Sequence, residues 1–128
     1  DPSIIDQAIK IFLGQKGATS LRSIHIMSES AYKTFEISSN GNLIPIFSHK
    51  SDIDFQNNPR QMFPDTYAAN GYVDIISCNH VKEFKSIHGN NVIPFLTERT
   101  VEVDCEDDFK YLNYLIKENP NLIKKVFK

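Results

Sequence analysis

The chain has 128 residues and a net charge of −2, with 41% hydrophobic and 23% charged residues. That is one domain or a piece of one, long enough to bury a core without staples. The charge leaves no footprint for DNA or RNA, aromatic residues are not interleaved with Arg and Lys runs, and no apolar run reaches the length of a membrane span. Neither a nucleic acid nor a membrane is therefore expected as a partner.

Cys78 and Cys105 lack metal-type spacing. They fit a reduced cytosolic chain, although two cysteines can also close one bridge. The start, Asp1-Pro2-Ser3, has neither the basic residues nor the apolar core of a signal peptide, and no initiator Met. A cytoplasmic location and a processed or truncated start are expected.

In chain order, Asp1-Pro2-Ser3 reads as a helix N-terminus, with Pro2 in the first turn where its missing N–H matters little. Ile4, Ile5, Ala8, Ile9, Phe12 and Leu13 recur at helical spacing until Gly14. Thr19 to Met27 is β-branched and alternating, and predicts a strand. Phe35 to Ser38 and Leu43 to Ile46 flank Asn40-Gly41, a strong hairpin signal. Pro45 makes the second strand short or an edge. Ser48 to Pro59 is polar without periodicity and reads as a long loop.

Arg60 to Phe63 predicts one helical turn. Tyr72 to Ser77 predicts a buried strand, Asn79 to Ser86 a short helix, and Val92 to Leu96 and Thr100 to Val103 short strands. Glu106 to Lys117 is amphipathic through Phe109, Leu112, Leu115 and Ile116. Asn119-Pro120-Asn121 breaks it, and Leu122 to Phe127 is a basic helix or tail. There are no internal repeats. The order is α/β, without the opening βαβ units or Gly-rich turn of a complete nucleotide-binding sheet.

Few residues carry chemistry. Glu102 and Asp104 are two apart on a predicted strand, so both carboxylates would face one side. Two hard oxygen donors suit Mg²⁺, which keeps its other positions for water and phosphate. The alternative is that Asp104 caps the next helix, with Asp107 completing an imperfect capping box. Arg60 can grip a carboxylate through two parallel bonds, or pair with Asp65. Lys33, taken alone, reads as a solvated charge. Gly71 allows positive φ or close approach. His25, His49, His80 and His88 are scattered, no Ser-His-Asp or Cys-His set is recognisable, and Cys105 reads as a small packed side chain.

Two segments resemble a known pattern. Arg60-Gln61-Met62-Phe63-Pro64-Asp65-Thr66-Tyr67-Ala68-Ala69-Asn70-Gly71 and Val101-Glu102-Val103-Asp104-Cys105-Glu106-Asp107-Asp108-Phe109 resemble the RQ-x-x-P-x-x-Y-x-x-NG and D-x-D-x-x-x-DF motifs of the acylneuraminate cytidylyltransferases, the CMP-sialic acid and CMP-Kdo type. Ser30-Ala31-Tyr32-Lys33 resembles that family's short segment before its hairpin. The resemblance runs from about Asp1 to Leu115, over the second half of that enzyme domain.

It implies the C-terminal part of a Rossmann-like, glycosyltransferase-A-like fold with a dimerisation hairpin. Residues 1–128 would form the sugar-acid- and metal-binding part of one domain. The nucleotide-binding part, with its Gly-Ser-Lys type loop, would precede residue 1. It further implies CTP and an acidic 2-keto sugar as substrates and Mg²⁺ on Glu102 and Asp104. Lys33, Arg60, Gln61, Asn70 and Gly71 would lie in the sugar site, and Phe35 to Pro59 would pair two copies as a homodimer. The fragment alone would be inactive.

Glu102 stands where the family has Asp, and Asp74 where it has an aromatic residue, which leaves the sugar open. A non-catalytic module that keeps the fold, or a relative using another sugar acid or nucleotide, are the alternatives.

Overall fold

The structure is a computed structural model and describes residues 2–47 and 53–126. The parts of the predicted elements that fall on Asp1, on Ser48 to Asp52 with His49, and on Phe127 lie outside the described residues. The class is α/β with a small mixed sheet. No helix among the described residues is long and apolar enough to cross a membrane. The chain divides into two compact units, Asp1–Ile24 with Ala69–Lys128, and His25–Ala68.

The first unit is built on a three-stranded sheet of order β4-β1-β5, formed by β1 (Ser20–Ile26), β4 (Tyr67–Ile76) and β5 (Val92–Leu96). β1 and β5 run parallel, from Ser20 opposite Val92 to Ile24 opposite Leu96. Helix α1 (Pro2–Gly14) supplies the apolar cover. Ala8, Leu21 and Phe95 form the buried centre, with Ile4, Ile11, Phe12, Val73, Ile75 and Ile93 packed around it. Removing a Leu or Phe side chain from water contributes about 1.5–3 kcal/mol.

The predicted stripe on α1 splits. Ile4, Ala8, Ile11 and Phe12 face the core, whereas Ile5, Ile9 and Leu13 stay exposed. Three residues beyond α1, Gly17 makes a turn at φ 78°. Helix α2 (Cys78–Phe84) starts where the Ser77 hydroxyl accepts from His80 N and stops at Lys85, which adopts φ 53°. Helix α3 (Glu106–Glu118) half-buries Leu112, Leu115 and Ile116 while Phe109 is exposed, and α4 (Asn121–Val126) follows.

Two strand expectations are corrected. β4 begins at Tyr67 rather than Tyr72, and as an edge strand it is mostly half-exposed rather than buried. Thr100 to Val103 is not a strand, despite its alternating pattern. No strand pairs with it among the described residues, and Thr100 Oγ1 instead donates to the Asn70 carbonyl at 3.3 Å. Alternation without a neighbouring ladder does not make a strand.

The second unit carries the hairpin of β2 (Phe35–Ile37) and β3 (Leu43–Pro45), paired antiparallel with Phe35 opposite Pro45. Gly41 N donates to Ser38 O at 2.9 Å and Ser38 N to Asn42 O at 2.8 Å, with Gly41 at φ 83°. This is a three-residue loop closed by a left-handed glycine, the role Asn40-Gly41 predicts. Ile53–Asn57 forms a 3-10 helix where a loop is expected. It forms because Phe55 packs edge-on against Phe63, ring centroids 5.4 Å apart, and Phe63 stacks on Tyr32 at 6.2 Å. That support is non-local, so the segment shows no periodicity of its own.

Candidate functional site

In the second unit, Ser30 is buried and its hydroxyl accepts from Tyr32 N at 3.3 Å, which opens the 3-10 turn Ala31–Lys33. Lys33 is half-buried and its Nζ donates to Asn58 O at 3.0 Å. Pro59 leads into the second turn, Arg60–Met62, and Phe63 plugs it into the aromatic cluster. Arg60 Nη2 donates to Met27 O at 2.7 Å, using one of five guanidinium donors. The Arg60–Asp65 ion pair weighed above is not formed among the described residues.

Two residues 27 positions apart in sequence thus line one pocket of about 390 Å³, Lys33 and Arg60, with Ser28, Glu29, Ser30 and Thr34. Gln61 joins Arg60, Phe63 and Asp65 around an adjoining concavity. Two cations against the single Glu29 carboxylate leave the pocket net positive, and with the serine and threonine hydroxyls this suits a ligand bearing a carboxylate and several hydroxyls. Of these hydroxyls only that of Ser30 belongs to the segment Ser30-Ala31-Tyr32-Lys33 quoted for the resemblance, and Ser28 and Thr34 flank it with no signal beyond their position.

In the first unit, Asn70 is buried, with 3% of its surface exposed. Its Nδ2 donates to Thr97 Oγ1 at 2.7 Å and its Oδ1 accepts from Tyr72 N at 3.3 Å. Gly71 takes φ 59°, the positive value its type allows, and a Cβ there would sit 3.3 Å from Glu102 Oε1. The Glu102 carboxylate therefore approaches the bare Cα face of Gly71 closely. Glu102 and Asp104 are both exposed, on an irregular segment, so the strand that was to place them on one face does not exist.

The capping expectation shifts by one residue. Cys105, not Asp104, is the N-cap of α3, and Asp108 rather than Asp107 closes the box. Asp108 Oδ2 accepts from Cys105 Sγ and Cys105 N at 3.0 Å and from Asp104 N at 3.2 Å. The thiol bond first, then the two amides, hold the Asp108 carboxyl below the usual aspartate range. Cys105 is exposed rather than packed, and both cysteines are free thiols.

Among the described residues, no three His, Cys, Asp or Glu side chains gather as a metal site. Glu102 and Asp104 are two hard oxygen donors on solvent-facing chain. That donor set fits a Mg²⁺ ion whose remaining positions go to water and phosphate. It does not fit an all-protein cage.

Asp74, the odd residue of the motif, has a partner: its Oδ2 lies 3.6 Å from Arg22 Nε. Arg22 Nη1 in turn reaches His88 Nε2 at 3.4 Å, and His88 Nδ1 lies 3.2 Å from the fully buried Ser20 Oγ. Ser20 Oγ also donates to the His88 carbonyl at 3.1 Å. This polar chain ties β4, β1 and the approach to β5 together. Ser20 and Arg22, two apart on a strand, are its only sequence signal.

No protein-family model matches the chain, and no curated protein matches it.

Proposed function

We propose that this chain is the sugar-acid- and metal-binding part of a nucleotidyltransferase that joins an acidic 2-keto sugar, an N-acylneuraminate or analogue, to CMP. The observation that carries this reading is the pocket shared by Lys33 and Arg60. The motif resemblance assigns both residues to a sugar carboxylate, and they line the same concavity from distant points of the sequence. The Rossmann-like, glycosyltransferase-A-like fold belongs to the same reading and is supported by the parallel β1–β5 pair within a mixed sheet. Asp74 counts less against it than the sequence alone suggests, because its charge is paired with Arg22.

In this reaction the anomeric hydroxyl oxygen of the sugar bonds to the α-phosphorus of CTP. The bond to the bridging oxygen breaks, pyrophosphate leaves, and the hydroxyl proton is released. Arg60 and Lys33 bind and orient the sugar acid, with Gln61 at the rim. Glu102 and Asp104 would hold Mg²⁺, which when bound neutralises charge on the phosphates. The setting is cytoplasmic, the partners are CTP and the sugar acid, and two copies pair as a homodimer.

The test is an amide-resonance titration of the chain with N-acetylneuraminate and, separately, with its methyl ester. The free acid should shift Ser28 to Thr34 and Arg60, and the ester should not. Arg60→Lys keeps the charge but loses the planar fork, and should weaken the response. Equal shifts by acid and ester, or no shift around Lys33 and Arg60, would sink the assignment.

A further inference from the structure

We infer that Asn70 is a positioning residue, which with Thr97 and Thr100 holds the segment carrying Glu102 and Asp104 against the Gly71 step of β4. This deepens the metal reading above and rests on it. The resemblance puts Asn70 in the sugar site, but its surroundings point to a different task. Its amide is buried and bonded at both ends, through Nδ2 to Thr97 and through Oδ1 to the backbone of Tyr72. Its own carbonyl accepts from Thr100 Oγ1 at 3.3 Å. A side chain so enclosed has no exposed edge to offer an external ligand.

These bonds have a consequence downstream. Thr97 and Thr100 bracket the irregular stretch that leaves β5, and Glu102 comes two residues later. Thr97 Oγ1 lies 3.1 Å from the Glu98 carbonyl and 3.4 Å from the Ile24 carbonyl of β1, so the hydroxyl that accepts from Asn70 has its own acceptors at the start of the segment and on β1. Both threonines tie this stretch to one residue of β4, and the next residue of β4 is Gly71. Gly71 takes a positive φ, and Glu102 Oε1 comes within 3.3 Å of where its Cβ would sit, a close approach that the missing side chain eases. Asn70 and Gly71 thus act as a pair, the first fixing the path of the segment and the second easing the approach of its carboxylate. Asp108 fixes the far end through the amides of Asp104 and Cys105.

Groups that orient metal-binding carboxylates typically account for about 10–100-fold in metal affinity. The probe is Mn²⁺ alone, titrated into the 128-residue chain and read by the loss of its free electron-paramagnetic-resonance signal. Amide hydrogen exchange over residues 98–104 is read in parallel. Thr97→Val removes the partner of Asn70 without touching a carboxylate. It should weaken Mn²⁺ binding about tenfold or more and raise exchange over that segment. Thr97→Ser restores the hydroxyl and should recover both. Asn70→Ala should match Thr97→Val. If Asn70→Ala does not fold, the threonine pair carries the test.

Raised exchange with wild-type Mn²⁺ affinity would make Asn70 merely structural and overturn the inference. So would an unchanged response in both readouts while Asp104→Asn abolishes binding. A wild-type chain that binds no Mn²⁺, or an Asp104→Asn variant that binds as well as wild type, would overturn the metal reading itself and the inference with it. The two failures are therefore separable.

Discussion

At the residue scale, Gly71 and Asp108 make the sharpest claims. Replacing Gly71 by Ala places a side chain at φ 59° and brings its Cβ to 3.3 Å from Glu102 Oε1. The left-handed conformation costs about 1–2 kcal/mol. The carboxylate end can swing away, so strain rather than clash dominates. Chemical denaturation should show that loss.

Asp108 makes a claim about acid. Its carboxyl is held below the ordinary range by the Cys105 thiol and by the Cys105 and Asp104 amides. A depressed folded value means that the stability it lends is complete above the unfolded Asp value of about 3.9 and is lost as pH falls through the folded value. Helicity of α3, read by circular dichroism from neutral to strongly acid pH, should fall in that window. Asp108→Asn should flatten this limb, and superimposable titrations would refute the coupling. From sequence alone the cap is readable only as a cluster of acids, because Asp104, Asp107 and Asp108 all have the right chemistry. The cap falls to Cys105 because helix α3 starts one residue later than Asp104 as N-cap requires.

At the scale of elements, legibility follows how local the support is. The hairpin and β5 are readable because Asn40-Gly41 and a short apolar run each specify their own geometry, whereas α2, expected over Asn79 to Ser86, runs from Cys78 to Phe84 because Ser77, read as the end of a strand, caps it. The 3-10 helix Ile53–Asn57 is not readable, because it depends on Phe55 meeting Phe63 and on Phe63 meeting Tyr32. The reverse error occurs at Thr100 to Val103, where alternation is present but the Thr100 hydroxyl ties the segment to the Asn70 carbonyl of β4 in place of a ladder. Of the candidate site, Lys33 and Arg60 are legible through their motifs, while the Asp74–Arg22–His88 chain is not, since it joins three distant stretches. The aromatic cluster yields a prediction of its own. Phe63 is 8% exposed and central to it, so Phe63→Ala should cost about 3 kcal/mol. It should also raise hydrogen exchange across both flanking 3-10 turns. Unchanged protection at residues 53–62 would show that the turns stand without the ring.

At the scale of the whole molecule, apolar surface left in the open is the main fact. In the second unit Ile37, Leu43, Ile44, Ile46 and Phe47 are all exposed, and β2 and β3 pair only with each other among the described residues. Patches of this kind commonly mark an interaction surface, and a two-fold pair is the commonest assembly. We expect a homodimer through the hairpin, visible by light scattering at micromolar concentration. Ile44→Lys should return it to monomer. A monomeric wild-type chain, or a dimer indifferent to Ile44→Lys, would refute this arrangement.

The left-handed step at Gly71 has one more consequence, for solubility. β4 is an edge strand ten residues long, and a regular edge of that length is an open template for a second chain to zip onto. Gly71, at φ 59°, departs from extended geometry near the middle of that strand. An edge with such a residue in it is a poorer seed for β-aggregation than a uniformly extended one. Straightening it would expose the chain to intermolecular strand pairing even where the monomer still folds.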